Sequence, residues 1–467
     1  MIFRRSSLAE LEPAQRALAE GRYDVAFTLL ENAARRPRPP AAQAQYWLHL
    51  AAVYALYGEE GLENGGPALK SAVGCDPNLV EHPLYQALFW EFAAYRGGGV
   101  SDVKRGLRLA TTGDNPIAVY HASSALLAVG AAKSSARRLE ALDEASLPAY
   151  LVWRRWSLLG QSYETLGDWD AAAAAYLRAV EAAPAEERDA ELVSHASCLL
   201  ELGNTADVIA TLARVEEDRL GPDDRATMRY VEGRAHLDAG NPNRAVELFV
   251  HARSLDPVEV PTFSLAYAMG QALSAIGRFD EAVAALREAI EVAPADHRAY
   301  AQHEAAFALS ESDHLSEAEA MLEEVVSDPA YPHRPEAVAD LADVRLKMGE
   351  FDSAESLAEQ ALEMGATATG CLVLGSLAFE YYRLDDAVRW FEQAISASSI
   401  GDASWLAAHQ VLADVYAQKG ESSAERVLHH AVAALEHTEP GSEWRLPLQR
   451  HVEWARAALG GHDRVLN

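Results

Sequence analysis

Cysteine is scarce: three residues, Cys75, Cys198 and Cys371, stand alone in 467 positions. No C-x-x-C occurs and the count is odd, which excludes a disulfide framework or a cysteine zinc site and fits a reducing compartment. No run of about 18 apolar residues is present, so no membrane-spanning helix is expected. The opening MIFRRSSLAELEPAQ lacks the apolar stretch of a secretory leader. A cytoplasmic location is the expectation.

The signatures of chemistry are missing as well. Sixteen histidines include no H-E-x-x-H, and His429 and His430 are adjacent, so on a helix they point apart. There is no G-x-S-x-G elbow, dinucleotide fingerprint or helix-turn-helix. The run Gly65-Gly66-Pro67-Ala68-Leu69-Lys70-Ser71 fails as a phosphate loop, because no glycine precedes the lysine and no strand precedes the run. The expectation is a protein that is not an enzyme, with no catalytic residues, metal or cofactor.

Positive charge is also short. Residues 1–160 hold 17 Lys/Arg against 16 Asp/Glu, a net of +1, which leaves 23 against 54, a net of −31, for residues 161–467. Such acidity repels phosphate. Only the N-terminal third, with Arg35, Arg36 and Arg38, Lys104, Arg105 and Arg108, and Arg137 and Arg138, keeps a nucleic-acid-associated role open as an alternative.

What the chain has is repetition. A phrase of glycine, any residue, aromatic and aspartate recurs at Gly21–Asp24, Gly167–Asp170, Gly277–Asp280 and Gly349–Asp352. Aligned turn positions follow at Gly58, Gly97, Gly130, Gly203, Gly240, Asp313, Tyr382 and Gly420, mostly 36 or 37 residues apart. Glycine ends a helix because the left-handed conformation costs it nothing. The aspartate opening the next helix is expected to meet unpaired N–H groups and the positive end of the helix dipole. Between turns the apolar period is helical. In the clearest unit, Trp156, Leu159, Gly160 and Tyr163 form the face of a first helix, and Ala172, Tyr176 and Ala179 that of a second, which Pro184 stops. Gly160 and Ala172 should bring the two helices close, with the aromatics filling the gap between adjacent pairs.

This unit resembles the tetratricopeptide repeat family. The second-helix face recurs as Ala245, Phe249 and Ala252, as Ala282, Leu286 and Ala289, and as Ala387, Phe391 and Ala394. Trp47, Leu50, Ala51 and Tyr54 match the first-helix face. The resemblance implies an all-α, right-handed superhelix of about twelve helix pairs, a tetratricopeptide α-solenoid with a C-terminal capping helix. Degenerate repeats are expected over 1–113, a regular array over 114–436, and the cap and tail over 437–467. Leu448, Val452, Ala455 and Leu459 give the cap its apolar face. The glycines at 61, 65, 66, 97, 98 and 99 stretch two turns, and Gly106 costs its helix roughly 1 kcal/mol. Residues 59–113 are therefore either a flexible hinge or diverged repeats that pack normally.

The resemblance also implies a concave groove lined by first helices, in which partner peptides lie. The face opposite the packing residues offers Tyr120 and His121, Arg154 and Gln161, Tyr230 and Arg234, Tyr267 and Gln271, and His303 and Phe307. Farther along, Glu336, Asp340, Asp343 and Asp414 make the groove acidic and suited to a basic partner. The Lys–Asn pairs with which chaperone-binding members grip a terminal carboxylate are absent. The expected function is a non-catalytic adaptor or scaffold for proteins or extended peptides. A peptide-responsive regulatory sensor is the other alternative, and self-association is compatible with either.

Overall fold

The computed structural model describes residues 10–58, 61–110, 115–258, 260–438, 442 and 444–462. The first nine residues, part of the stretched turn after Gly58, residues 111–114 and the extreme C-terminal tail lie outside the described residues. Among the described residues there are 25 α-helices and no strand. They fall into two compact units, 1–260 and 261–467. Boundaries at 113 and 436 instead follow the quality of the sequence repeat.

Unit 1 begins with α1 (Leu11–Ala19), α2 (Tyr23–Arg35), α3 (Pro40–Ala55), α4 (Leu62–Cys75), α5 (Pro83–Tyr95), α6 (Val100–Ala110), α7 (Pro116–Ala128) and α8 (Ala132–Glu140). It continues with α9 (Ala149–Thr165), α10 (Trp169–Ala182), α11 (Ala185–Glu201), α12 (Thr205–Leu212), α13 (Pro222–Asp238) and α14 (Pro242–Ser254). Unit 2 holds α15 (Thr262–Ala275), α16 (Phe279–Val292), α17 (Arg298–Glu311), α18 (Leu315–Ser327), α19 (Arg334–Lys347) and α20 (Phe351–Glu363). It ends with α21 (Thr367–Glu380), α22 (Leu384–Ala397), α23 (Ala403–Gln418), α24 (Ala424–His437) and α25 (Arg445–His462).

Every turn position read from the sequence has positive φ, including the non-glycines Asp313 (64°) and Tyr382 (56°). The closing hydrogen bonds are those of a left-handed helix stop: Asp168 N–H reaches the Tyr163 carbonyl at 3.0 Å, and Arg383 N–H that of Ala378 at 2.8 Å. The aspartate after the aromatic does not cap. Asp24, Asp170, Asp280 and Asp352 sit inside the first turn, where their charge meets the dipole. In α10 the capping side chain is Asp168, which accepts from Ala171 N–H at 3.2 Å.

Pairs close around a second regularity. A Cβ on Gly160 would lie 2.8 Å from the Tyr176 ring, and one on Gly375 2.8 Å from Phe391. On Gly233 it would meet Phe249 at 2.6 Å, and on Gly270 it would meet Leu286 at 2.4 Å. In each case the large residue follows its glycine by 16 positions. The bulky side chain thus seats on a glycine of its own pair, instead of only filling the gap between pairs as expected. Ala172 is fully buried beside Tyr176.

The glycine-rich stretch is helical, not a long turn. α4 starts at Leu62 and runs through Gly65, Gly66 and Pro67. Gly65 is needed because a Cβ there would meet the Phe92 ring at 2.3 Å; Gly106 likewise lies under Trp90. These helices share one core with α3, α5 and α7.

In unit 1 the chain also packs back on itself. α1 packs on α9 as well as on α2, and Leu11, Leu18 and Leu30 share a core with Tyr46, Leu50, Leu151 and Leu159. In unit 2 each helix packs on the next, and the first helices also meet one another: α15 on α17, α17 on α19, α19 on α21 and α21 on α23. α25 lies on α24 and α23 and buries Leu448, Val452 and Ala455, the covering an exposed last pair requires.

Candidate functional site

In unit 2 the row of first helices carries two adjoining cavities. One, of about 430 Å³, lies across α15, α17 and α19; its wall includes Tyr267, Tyr300, His303, Glu304, Tyr331 and Asp340. The other, of about 270 Å³, lies across α17, α19, α21 and α23, among Phe307, Leu322, Val344, Leu372, Val373 and Ala407. Phe307 and Asp340 belong to both walls.

Helical geometry assembles the first cavity. Tyr300, His303, Glu304 and Phe307 fall on one face of α17 at i, i+3, i+4 and i+7. Tyr331 comes from the loop before α19, and its ring meets that of Tyr300 edge-on at 5.1 Å. His303 joins two elements: Nδ1 is 2.9 Å from the Tyr331 hydroxyl and Nε2 2.8 Å from Asp340 Oδ2. Gln271 Nε2 donates to Glu304 Oε1 at 3.2 Å and to the Tyr267 hydroxyl at 3.3 Å. Burial raises the Tyr331 pKa, reinforced by the surrounding phenols and carboxylates, so the hydroxyl stays protonated at neutral pH.

Two of the second cavity's three carboxylates, Glu311 and Asp343, are countered. Lys347 Nζ lies 3.1 Å from Asp343 and 2.8 Å from Glu311. Burial lifts the Asp343 pKa against the pull of Lys347. Burial also opposes the Lys347 charge, yet Asp343 and Glu311 outweigh it and raise that pKa.

Of the residues read from the sequence, Tyr267, Gln271, His303, Phe307, Glu336 and Asp340 therefore line the first cavity, and Phe307, Asp340 and Asp343 the second. Tyr300, Glu304, Tyr331 and His333 were missed. The spacing on α17 points to the first two, whereas Tyr331 and His333 sit in a loop with no periodicity to read. Asp414 lines neither cavity; it pairs with His451 of α25 at 2.6 Å. The acidic groove is thus narrower than expected, since Asp343 and Asp414 are spent on intramolecular partners.

Unit 1 corrects the expectation further. Tyr120 and His121 are buried, not open to a groove. Tyr120 belongs to the core that α1 and α2 complete, and His121 Nδ1 bonds Glu91 at 2.7 Å, both side chains 1% exposed. Arg154 is buried too. It donates to the Tyr150 carbonyl at 3.0 Å and the Tyr23 hydroxyl at 3.1 Å, and stacks on Trp153. Tyr23 also bonds Glu187. Gln161 is exposed. Tyr230 and Arg234 are half-buried, with Arg234 turned to the Tyr230 hydroxyl at 3.4 Å. At least four of the eight N-terminal basic residues form ion pairs: Arg36 and Arg38 with Glu10, Arg35 with Glu31 and Arg105 with Asp102.

Among the described residues no group of three or more His, Cys, Asp or Glu is arranged to hold a metal ion, and no helix is long and apolar enough to cross a membrane.

Helix pairs closed by left-handed turns and stacked side by side define a helical-repeat protein. Tetratricopeptide repeat models match residues 154–186 and 263–296, 308–368, and 339–403. The chain is a tetratricopeptide repeat protein. No curated protein matches it. Among solved structures it is similar to the anaphase-promoting-complex hetero-tetramer Cut9–Hcn1, at 13% identity over 96% of both chains with a TM-score of 0.42. It is similar to a tetratricopeptide repeat protein of Parabacteroides merdae, at 16% identity over 53% of this chain and 93% of that one, TM-score 0.39. It is also similar to pilF of Pseudomonas aeruginosa, at 17% identity over 50% and 99%, TM-score 0.34.

Proposed function

We propose that the protein is a non-catalytic scaffold that binds an extended segment of a partner protein along the first helices of unit 2. The observation that carries this reading is the pair of adjoining cavities on α15 to α23, with Phe307 exposed at their common wall. An exposed aromatic between two side-chain-sized recesses is suited to anchoring a partner. The carboxylates Glu304 and Glu336, in a wall without lysine or arginine, favour a basic one. The free cysteines, with Cys198 and Cys371 buried, are consistent with a reducing, cytoplasmic setting.

Site-specific photo-crosslinking tests the reading. A benzophenone side chain at position 307 should capture a partner in the cells that make the protein. The same probe at the exposed Val292 at the end of α16 should not. Capture at 292 without capture at 307, or capture at neither, would overturn the groove reading.

A further inference from the structure

The two cavities differ in chemistry. Three carboxylates, Glu304, Glu336 and Asp340, line the first, and no lysine or arginine does. His303 bridges the Tyr331 hydroxyl through Nδ1 and Asp340 through Nε2, so both of its ring nitrogens are occupied within the wall. The phenol rings of Tyr267, Tyr300 and Tyr331 supply π faces that attract a cation. The second cavity is walled mostly by aliphatic side chains and Phe307, with Ser310, Thr369 and Ser404 among them; Lys347 answers its Glu311 and Asp343, and Asp340 stands on the side shared with the first cavity. A cation is favoured in the first and an apolar group in the second.

Because the cavities share Phe307 and Asp340, their occupants lie about one helix spacing apart, roughly 8–10 Å. An extended chain advances roughly 3.3–3.6 Å per residue, so that distance is two to three residues. We infer that the furrow reads a two-part signal in its partner: a lysine or arginine in the α15–α17–α19 cavity and an aliphatic side chain, two or three residues away, in the α17–α19–α21–α23 cavity. The inference rests on the groove reading above and adds what the groove selects.

The test uses the full chain and a set of capped, fluorescent ten-residue peptides. Arg, Lys or Gln is crossed with Leu or Ala at separations of one to five residues, in both orders, and binding is read by fluorescence polarisation. Peptides with a basic residue and leucine two or three apart should bind about tenfold tighter or more than those in which either is replaced, the loss expected for one charge-assisted contact. Whether Arg or Lys binds better separates a flat guanidinium from a compact ammonium. The Glu304→Gln/Glu336→Gln variant should weaken the Arg and Lys peptides and leave the Gln peptides unchanged. Ala407→Phe, which fills the second cavity, should erase the preference for Leu over Ala; Thr369→Phe fills it from another side should the first fail to fold. Peptide binding indifferent to the basic residue, to leucine or to their separation would overturn the two-part signal and leave the groove standing. Absence of binding by every peptide would also overturn it, and crosslinking at position 307 then decides the groove independently.

Discussion

Single residues set the close contacts of this fold, and the sequence announces some of them more clearly than others. The turn glycines were legible because the left-handed conformation restricts residue type, and even Asp313 and Tyr382 were found by spacing alone. Tyr382 holds φ 56° while 79% exposed, so it carries backbone strain without packing in return. Left-handed φ costs an ordinary residue roughly 1–2 kcal/mol, and glycine's greater unfolded-state entropy returns roughly 0.5–1 of that. Tyr382→Gly should therefore stabilise by up to about 1 kcal/mol, seen as a higher denaturant midpoint; a lower midpoint would show that the Tyr382 ring contributes packing. At the opposite extreme, Gly160→Ala should destabilise by about 1–3 kcal/mol by overpacking against Tyr176. Shrinking the ring in Gly160→Ala/Tyr176→Leu should make the two losses less than additive, which a double-mutant cycle in denaturant measures. The buried roles of Tyr120, His121 and Arg154 were not legible. Periodicity gives the face of a helix but not what lies against it, and the elements that cover these residues come from distant parts of the chain.

At the scale of the element, helix pairs were readable where apolar period and turn agreed, and α4 was misread because its glycines serve packing. Function shows a similar divide: α17 displayed half its cavity face in the sequence, and the loop carrying Tyr331 none. One pair carries a pH dependence. His409 of α23 and His430 of α24 meet Nδ1 to Nδ1 at 3.0 Å, between Trp405 and Tyr416 and beside His429 and His437. Burial, then neighbouring histidines, lowers their pKa values to about 4 and about 3. The fold thus favours the neutral rings. Both states are neutral above the unfolded value near 6.5, and stability is then at its full level. As pH falls from 6.5 towards 4 the unfolded chain takes up protons that the folded pair refuses. The loss steepens to at most about 2.7 kcal/mol per pH unit for two protons. Thermal melts at pH 7.5 and pH 5 should show unit 2 weakened at the lower pH. A His409→Leu/His430→Phe variant should lose much of that difference; an equal difference in the variant would assign the effect elsewhere.

Over the whole molecule, an array that touches only neighbours confines damage to adjacent pairs, and unit 2 has that character. Unit 1 does not, because α1 rests on α9 and Tyr23 bonds residues 131 and 164 positions away. Removing residues 1–36 should therefore uncover Tyr120, Tyr150 and Leu158 of the shared core. The truncated protein should bind more of an apolar dye and melt earlier than the full chain; an unchanged melt would mean that α1 and α2 add little to that core. The same arrangement has a consequence in time. Ribosomes extend a chain at roughly 5–20 residues per second, so about 7–30 s pass between synthesis of Tyr23 and arrival of Arg154 and Glu187. During that interval the first two helices have been made but the α9 surface they cover has not, and Leu11, Leu18 and Leu30 wait without Leu151 and Leu159. The nascent α1 and α2 thus have a claim on a chaperone for as long as α9 and α11 are unmade.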